Sequence, residues 1–249
     1  LNVLISISVF ALFHPRELAL RPAPGEVLRV HSPGGVTRLE GAQVLRLRAA
    51  AQTEGEFLLA VPGKIERRFR GRLEVRPEGR ELRAIVTMDL ETAVASVVAA
   101  EMAPGAPLEA LKAQAVAARS FFLAARGRHR AAGFDFCDTT HCQWLRHPPQ
   151  PGQRAARAAV ETRGLVLTYH AQVVEAYYSA ACGGATERLA GPYPYASVAC
   201  VRHPRRGHGI GLCQEGAAVM AGAGFREILG RYYPNTAVEG YRDARTGLR

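Results

Sequence analysis

The sequence lacks what a membrane span requires: no run approaches 18 apolar residues, so no segment reads as a transmembrane helix. Acid is scarce as well, with 22 Asp and Glu against 32 Lys and Arg, giving a formal charge of +10 and a pI near 9.9. Lysine is almost missing, since 30 of those 32 cations are arginine and only Lys64 and Lys112 are not. The first residues have neither a start Met nor a basic segment ahead of their apolar stretch, so the chain reads as a mature or trimmed one whose signal or anchor is missing. A basic balance suits polyanions, but there is no basic run interleaved with aromatics and no nucleic-acid module, which excludes nucleic acid as the partner and leaves anionic surfaces and polymers. Internal repeats and low-complexity tracts are also absent.

What is present suffices for a core: 249 residues, 48% of them hydrophobic. Leu1 to Phe13 alternates, with Val3, Ile5, Ile7 and Val9 on one side and Ser6 and Ser8 on the other, which is a strand pattern. Short strands separated by Pro and Gly are expected at Val27–Val30, Val44–Leu47, Phe57–Val61, Ile65–Phe69, Leu73–Val75 and Leu82–Thr87. The fold class is α+β: a β-rich region over 1–85, a helical segment with a small antiparallel sheet over 86–236, and a tail over 237–249. In the second part, a short helix is expected at Arg154–Thr162. Val173–Tyr178 should pair with Leu165–Tyr169, and a helix over Gln214–Tyr232 should break at Gly222–Gly224.

Asp89 to Met102 reads as a helix, with Asp89 as N-cap, Glu91 in the first turn and no breaker before Pro104. Leu90, Val94 and Val97 form its apolar stripe, and the next position of that series is Glu101. A carboxylate thus stands at a core-facing position in the last helical turn, where desolvation and the negative end of the macrodipole both raise its pKa. Such a group is a candidate proton donor; the alternative is a C-terminal Glu whose stem packs on the core. A second helix follows, from Pro107 through about Arg126, with Leu108, Leu111, Ala115, Ala118 and Phe122 as its buried stripe. Lys112 and Arg119, seven residues apart, share one face. In so arginine-rich a chain, Lys112 suggests a need for a compact ammonium; the alternative is a solvated cationic face.

Cys137, His141 and Cys142 lie within six residues, and His129 precedes Cys137 by eight. Two thiols and imidazole nitrogen suit zinc, whereas a Cys137–Cys142 disulfide or two free thiols are the other readings of the same residues. Spacing does not say whether His129 or His141 completes such a set.

Four ordered blocks now carry a resemblance. Glu101-Met102-Ala103-Pro104 with PLEALKAQAVAARSFF, FDFCDTTHCQW (Phe134–Trp144), EAYYSAACGGATE (Glu175–Glu187), and GHGIGLCQEGAAVMA (Gly207–Ala221) with FREILGRYYPNT resemble the SpoIID/LytB family of bacterial cell-wall proteins over roughly Gly71 to Thr236. The resemblance implies a lytic transglycosylase that cleaves peptidoglycan glycan strands, preferably those lacking stem peptides, to 1,6-anhydro-muramyl products. Glu101 would be its general acid and base, 86–236 its catalytic domain and a cell-wall amidase its partner. It implies Lys112 and Arg119 as sugar-orienting cations, and a structural zinc held in the region of His129, Cys137, His141 and Cys142. Tyr178, Cys182, His208 and Gln214 become candidate substrate contacts, with Cys182 standing where related sequences often have Ser. The location implied is extracytoplasmic, and +10 of charge reads as retention on an anionic wall. The alternative is a non-catalytic wall-binding module that enhances an amidase. Resembling proteins have a longer stretch between the third and fourth blocks, so either an insertion has been lost or residues are missing between Arg206 and Gly207. Pairing among Cys182, Cys200 and Cys213 is open.

Overall fold

The computed structural model describes residues 3–201, 203–220 and 222–242. Leu1 and Asn2 of the first strand pattern, Ala221 of the fourth block and 243–249 of the tail lie outside the described residues. The chain forms two compact units, one of Asn2–Ala93 with Gly127–Pro148, the other of Val94–Arg126 with Pro149–Arg249. The architecture is α+β, as expected. Arg206 runs directly into Gly207, and Arg206 bridges to Ala181, so the expectation of missing residues there is corrected.

The first unit is a β-sheet built from β1 (Leu4–Val9), β2 (Leu18–Pro22), β3 (Val27–Ser32), β4 (Gly35–Glu40), β5 (Leu45–Leu47), β6 (Ala51–Val61), β7 (Ile65–Glu78), β8 (Glu81–Asp89) and β9 (Phe136–Cys137). Its main path runs β4-β3-β6-β7-β8-β1-β9, with β2 pairing to β5 and β6. The strands at Ile65–Phe69 and Leu73–Val75 are one, β7, which pairs along its length with β6 and β8. The alternation of β1 turns Ile5 and Ile7 inward at 1% exposure. They join a core that includes Leu18, Leu20, Phe57 and Phe69, with Phe10 edge-on to Phe69 at 5.9 Å between centroids. Strands β2 and β4 were not legible in the sequence, because Arg and Pro interrupt one and the other is mostly exposed.

Helix α1 (Leu90–Glu101) crosses the boundary at Ala93. Asp89 caps it as the sequence implies: its carboxylate accepts the Glu91 N–H at 2.9 Å and the Thr92 N–H at 3.2 Å. The second unit is organised on α2 (Leu108–Ala124), an alanine-rich helix buried at most positions from Ala110 to Phe122. Around it pack α3 (Arg154–Glu161), β10 (Leu165–Tyr169), α4 (Gln214–Ala218) and α5 (Phe225–Tyr232). Small side chains on α2 permit that close contact on several sides.

Strand β10 pairs antiparallel with β11 (Gln172–Val173) and with β14 (Ala237–Gly240). The expected strand Val173–Tyr178 is divided: β11 ends at Val173, and β12 (Tyr178–Ser179) pairs parallel with β13 (Leu212–Cys213). Gly222–Gly224 separates α4 from α5, as the breakers predict. No helix among the described residues is long and apolar enough to cross a membrane.

Candidate active site and two cysteine–histidine clusters

Leu90, Val94 and Val97 are 0% exposed, and Glu101 continues their stripe as the half-buried last residue of α1. A side-chain hydrogen bond joins Tyr178 to Glu101. Burial, and then the Glu101 charge, push the Tyr178 hydroxyl well above the usual phenol range, so that the hydroxyl keeps its proton and donates a hydrogen bond to the carboxylate. The β12–β13 pairing sets Tyr178 in register with Leu212. Gly211 makes that approach possible: its φ is +70°, and a Cβ there would strike the Tyr177 carbonyl.

Adjacent strand residues face opposite ways. Tyr177 accordingly packs on Phe121 (6.2 Å), Tyr195 (5.5 Å) and His208 (5.9 Å), and borders an aromatic cavity of about 270 Å³ with Tyr169 and Tyr193. Glu101 does not line this cavity, so the aromatic recess and the candidate acid are separate features. His208 accepts the Ile210 N–H at 3.0 Å on Nδ1 and bonds the Tyr178 carbonyl; desolvation, with Arg205 adding repulsion, holds it below the usual histidine range and favours the neutral ring.

Of the other expected substrate residues, Gln214 is 6% exposed and donates to Gln114 Oε1 of α2 at 3.2 Å. Lys112 bridges two carboxylates, Glu109 at 2.6 Å and Glu161 at 2.7 Å, while Glu109 also accepts the Phe225 N–H at 2.9 Å where α5 begins. Its ammonium therefore ties α2 to α3, and the hydrogen bond it donates to Glu109, followed by that to Glu161, raises its pKa. Arg119 requires a correction. It is 0% exposed and donates to the carbonyls of Leu165 (3.0 Å), Ala159 (3.4 Å) and Ala115 (3.4 Å). A guanidinium enclosed in this way braces α2 against α3 and β10 and offers no face to a sugar.

In the β-rich unit, His129, Cys137, His141 and Cys142 place their ligand atoms within 4.8 Å of one another. His129 Nε2 is 3.3 Å from Cys142 Sγ, and His141 Nδ1 is 3.7 Å and 3.6 Å from the two sulfurs. Both histidines lie within the cluster, whereas spacing alone did not choose between them. Hydrogen bonding between the thiols, with Cys142 the main donor, lowers the Cys137 pKa and raises that of Cys142. The loop is fixed below: β9 pairs with β1, and Asp138 accepts the Phe10 N–H at 3.1 Å and a 2.8 Å ion pair from Arg67, which also donates to the Leu145 carbonyl. Two sulfurs and two imidazole nitrogens in this space form a donor set that can hold a metal ion.

The sequence reading missed a second cluster. Cys182 is 3% exposed and sits with Cys200, His203 and Cys213, again with ligand atoms within 4.8 Å. Only the Cys200-x-x-His203 spacing hinted at it. All five cysteines are free thiols.

Residues 78–169 match the SpoIID family model, described as a stage II sporulation protein. The match includes Glu101, Lys112, Arg119 and the first cluster, and stops before Tyr178 and the second. An uncharacterized protein of Brachyspira hyodysenteriae (strain ATCC 49526 / WA1) is 32% identical over 120 residues, which are 48% of this chain. The chain spans 33% of that relative's length. It is through residues 78–169, with the helix pair that carries Glu101 and Lys112 at its centre, that the chain is similar to the SpoIID family.

Proposed function

We propose that this chain is a lytic transglycosylase acting on peptidoglycan glycan strands, with Glu101 as general acid and base. The family's link to cell-wall lysis supports the reading, and the observation that carries it is the hydrogen bond from Tyr178 to Glu101 at the end of α1. A phenol held in its protonated form orients the carboxyl without competing for the proton. Protonated Glu101 gives its proton to the glycosidic oxygen as the C1–O bond breaks and the leaving saccharide takes the electron pair. The muramyl C6 hydroxyl then attacks C1 and returns a proton to Glu101, closing the 1,6-anhydro ring. One carboxyl group serves both steps, where a hydrolase normally uses two.

With Arg119 enclosed and Lys112 neutralised by two carboxylates, substrate contacts would come from Tyr178, from the neutral ring of His208 and from the Gly-rich turn at Gly207–Gly211. The His129, Cys137, His141 and Cys142 set would hold zinc, whose part is to fix the loop after β9. The expected substrate is a strand stripped of stem peptides by a partner amidase, and the expected place is outside the cytoplasm.

Mass spectrometry of products from purified glycan strands, with and without stem peptides, tests the reading. Anhydro-ended fragments made by the protein and lost in Glu101→Gln would support it. Absence of cleavage by both proteins would replace it with a wall-binding module that enhances an amidase.

A further inference from the structure

We propose that Cys182, Cys200, His203 and Cys213 form a second metal site, which takes one zinc ion in tetrahedral Cys3His coordination. In a tetrahedral zinc site with bonds of about 2.3 Å to sulfur, ligand atoms stand about 3.7 Å apart. The four ligand atoms here already lie within 4.8 Å of one another, with His203 Nε2 3.4 Å from Cys213 Sγ. Closing on an ion needs only small side-chain shifts.

The surroundings match what thiolate ligands require. Each sulfur has its own donor: the Gly184 N–H for Cys182, the Tyr232 hydroxyl at 3.3 Å for Cys200, and the Gly216 N–H at 3.3 Å for Cys213. Three thiolates around one dication carry net negative charge, which these donors offset. Gly216 is part of the cradle, because a Cβ there would collide with the Tyr232 hydroxyl and the Cys200 sulfur. On the imidazole, Nδ1 accepts the Gly183 N–H at 3.3 Å and lies 3.9 Å from Glu215 Oε2. Metal on Nε2 puts the ring proton on Nδ1, which then gives up the Gly183 N–H and turns to Glu215 as its acceptor, giving a carboxylate–histidine–metal arrangement. Binding releases the thiol protons to solvent and changes no oxidation state.

This assignment replaces a substrate contact at Cys182. It also gives Gly183 and Gly184 a role, since their backbone wraps the cluster: the Gly184 carbonyl accepts the Cys200 N–H at 2.8 Å. The ligand set joins the third and fourth sequence blocks. Ser179 is the register partner of Cys213, so a loaded site fixes the strand that carries Tyr178. The proposal does not depend on the transglycosylase reading, because metal content is measured without substrate.

The test uses the whole chain, reduced, saturated with zinc and freed of excess. Native mass spectrometry should count two zinc ions per chain, and one in Cys137→Ser/Cys142→Ser. Alkylation with peptide mapping on the unaltered protein should find Cys182, Cys200 and Cys213 protected when loaded and reactive together once a chelator is added. Cobalt in place of zinc should give a stronger thiolate charge-transfer band from this site than from the two-thiolate one. The proposal is overturned by the absence of zinc from Cys137→Ser/Cys142→Ser, by equal alkylation of the three thiols with and without zinc, or by recovery of a disulfide among them in protein that has never been reduced.

Discussion

The two units each gather two or three thiols with imidazole nitrogen, and each encloses an arginine beside its framework, but they do so over different distances. In the β-rich unit the ligands fall between His129 and Cys142, on one loop clamped by the Arg67–Asp138 pair. In the helical unit they fall between Cys182 and Cys213, and Arg119 works on carbonyls contributed by α2, α3 and β10. A short loop can be positioned by its own turns and one ion pair. A spread set exists only when the fold exists, so its ligands and its fold should be lost together.

Metal removal should separate the two most sharply. Stabilisation by a ligand bound about 1,000-fold above its dissociation constant is about 4 kcal/mol. Chain closed by the second set is longer than that closed by the first, which favours a larger effect there. Cys213→Ser is therefore expected to lower the thermal midpoint more than Cys142→Ser does, and differential scanning calorimetry with and without chelator would show it. Equal shifts would break the comparison.

The arginines come next. Arg67→Ala leaves the Asp138 carboxylate, 7% exposed, without its cation, and loss of one partner of a buried pair costs about 3–5 kcal/mol. Arg119→Met keeps apolar volume but removes donors from buried carbonyls, at about 1–3 kcal/mol for each group left unsatisfied. Denaturant melts should show both variants destabilised by comparable amounts, and metal retention at the first cluster should fall only in Arg67→Ala. In Arg119→Met, activity per folded molecule should stay unchanged; a raised KM with intact stability would restore Arg119 to the glycan.

A smaller effect tests the functional side of the helical unit. Tyr178→Phe removes one hydrogen bond to a charged group, worth about 1.5–3 kcal/mol in an unstrained site, and hence about 10- to 100-fold in turnover if that bond holds the acid in place. Tyr177→Phe, on the opposite face of the chain, should leave turnover within about two-fold, since the ring contacts with Tyr195, Phe121 and His208 are kept. Equal losses in both variants would place the effect in packing.

The same contrast of distance explains what was legible in the sequence. The Asp89 cap, the stripe ending at Glu101 and the alternation in β1 are periodic over a few residues, and each was found in place. The first cluster was legible for the same reason. Lys112 and Arg119 share a face by helical period, but what that face meets is set by Glu161, Ala159 and Leu165, some forty to fifty residues later. The second cluster has three of its ligands on irregular chain and the fourth on β13, and no local period can encode that. Tyr178 needed the resemblance to be singled out at all, because its partner Glu101 is remote in sequence and the strand expected at Val173–Tyr178 does not continue to it.

Acid should act on both units alike, and weakly. Glu109 in the helical unit is held below the usual carboxylate range first by its hydrogen bond from Lys112, and Glu78 in the β-rich unit first by its bond from Arg83. Because each folded-state value lies below the unfolded one of about 4.3, the stabilisation is fully present above that pH and is lost as pH falls through the depressed folded values. The carboxylate side chains are 36% and 44% exposed, so water and salt screen both pairs to about 0.2–1 kcal/mol each. Thermal midpoints measured from pH 6 to pH 3 should stay level to about pH 4.5 and then decline, and Lys112→Met should flatten the helical unit's share of that decline. A fall that begins near pH 6 would come from the thiol–imidazole sets, where protons compete with metal, and running the same series after chelation removes that contribution and isolates the carboxylates.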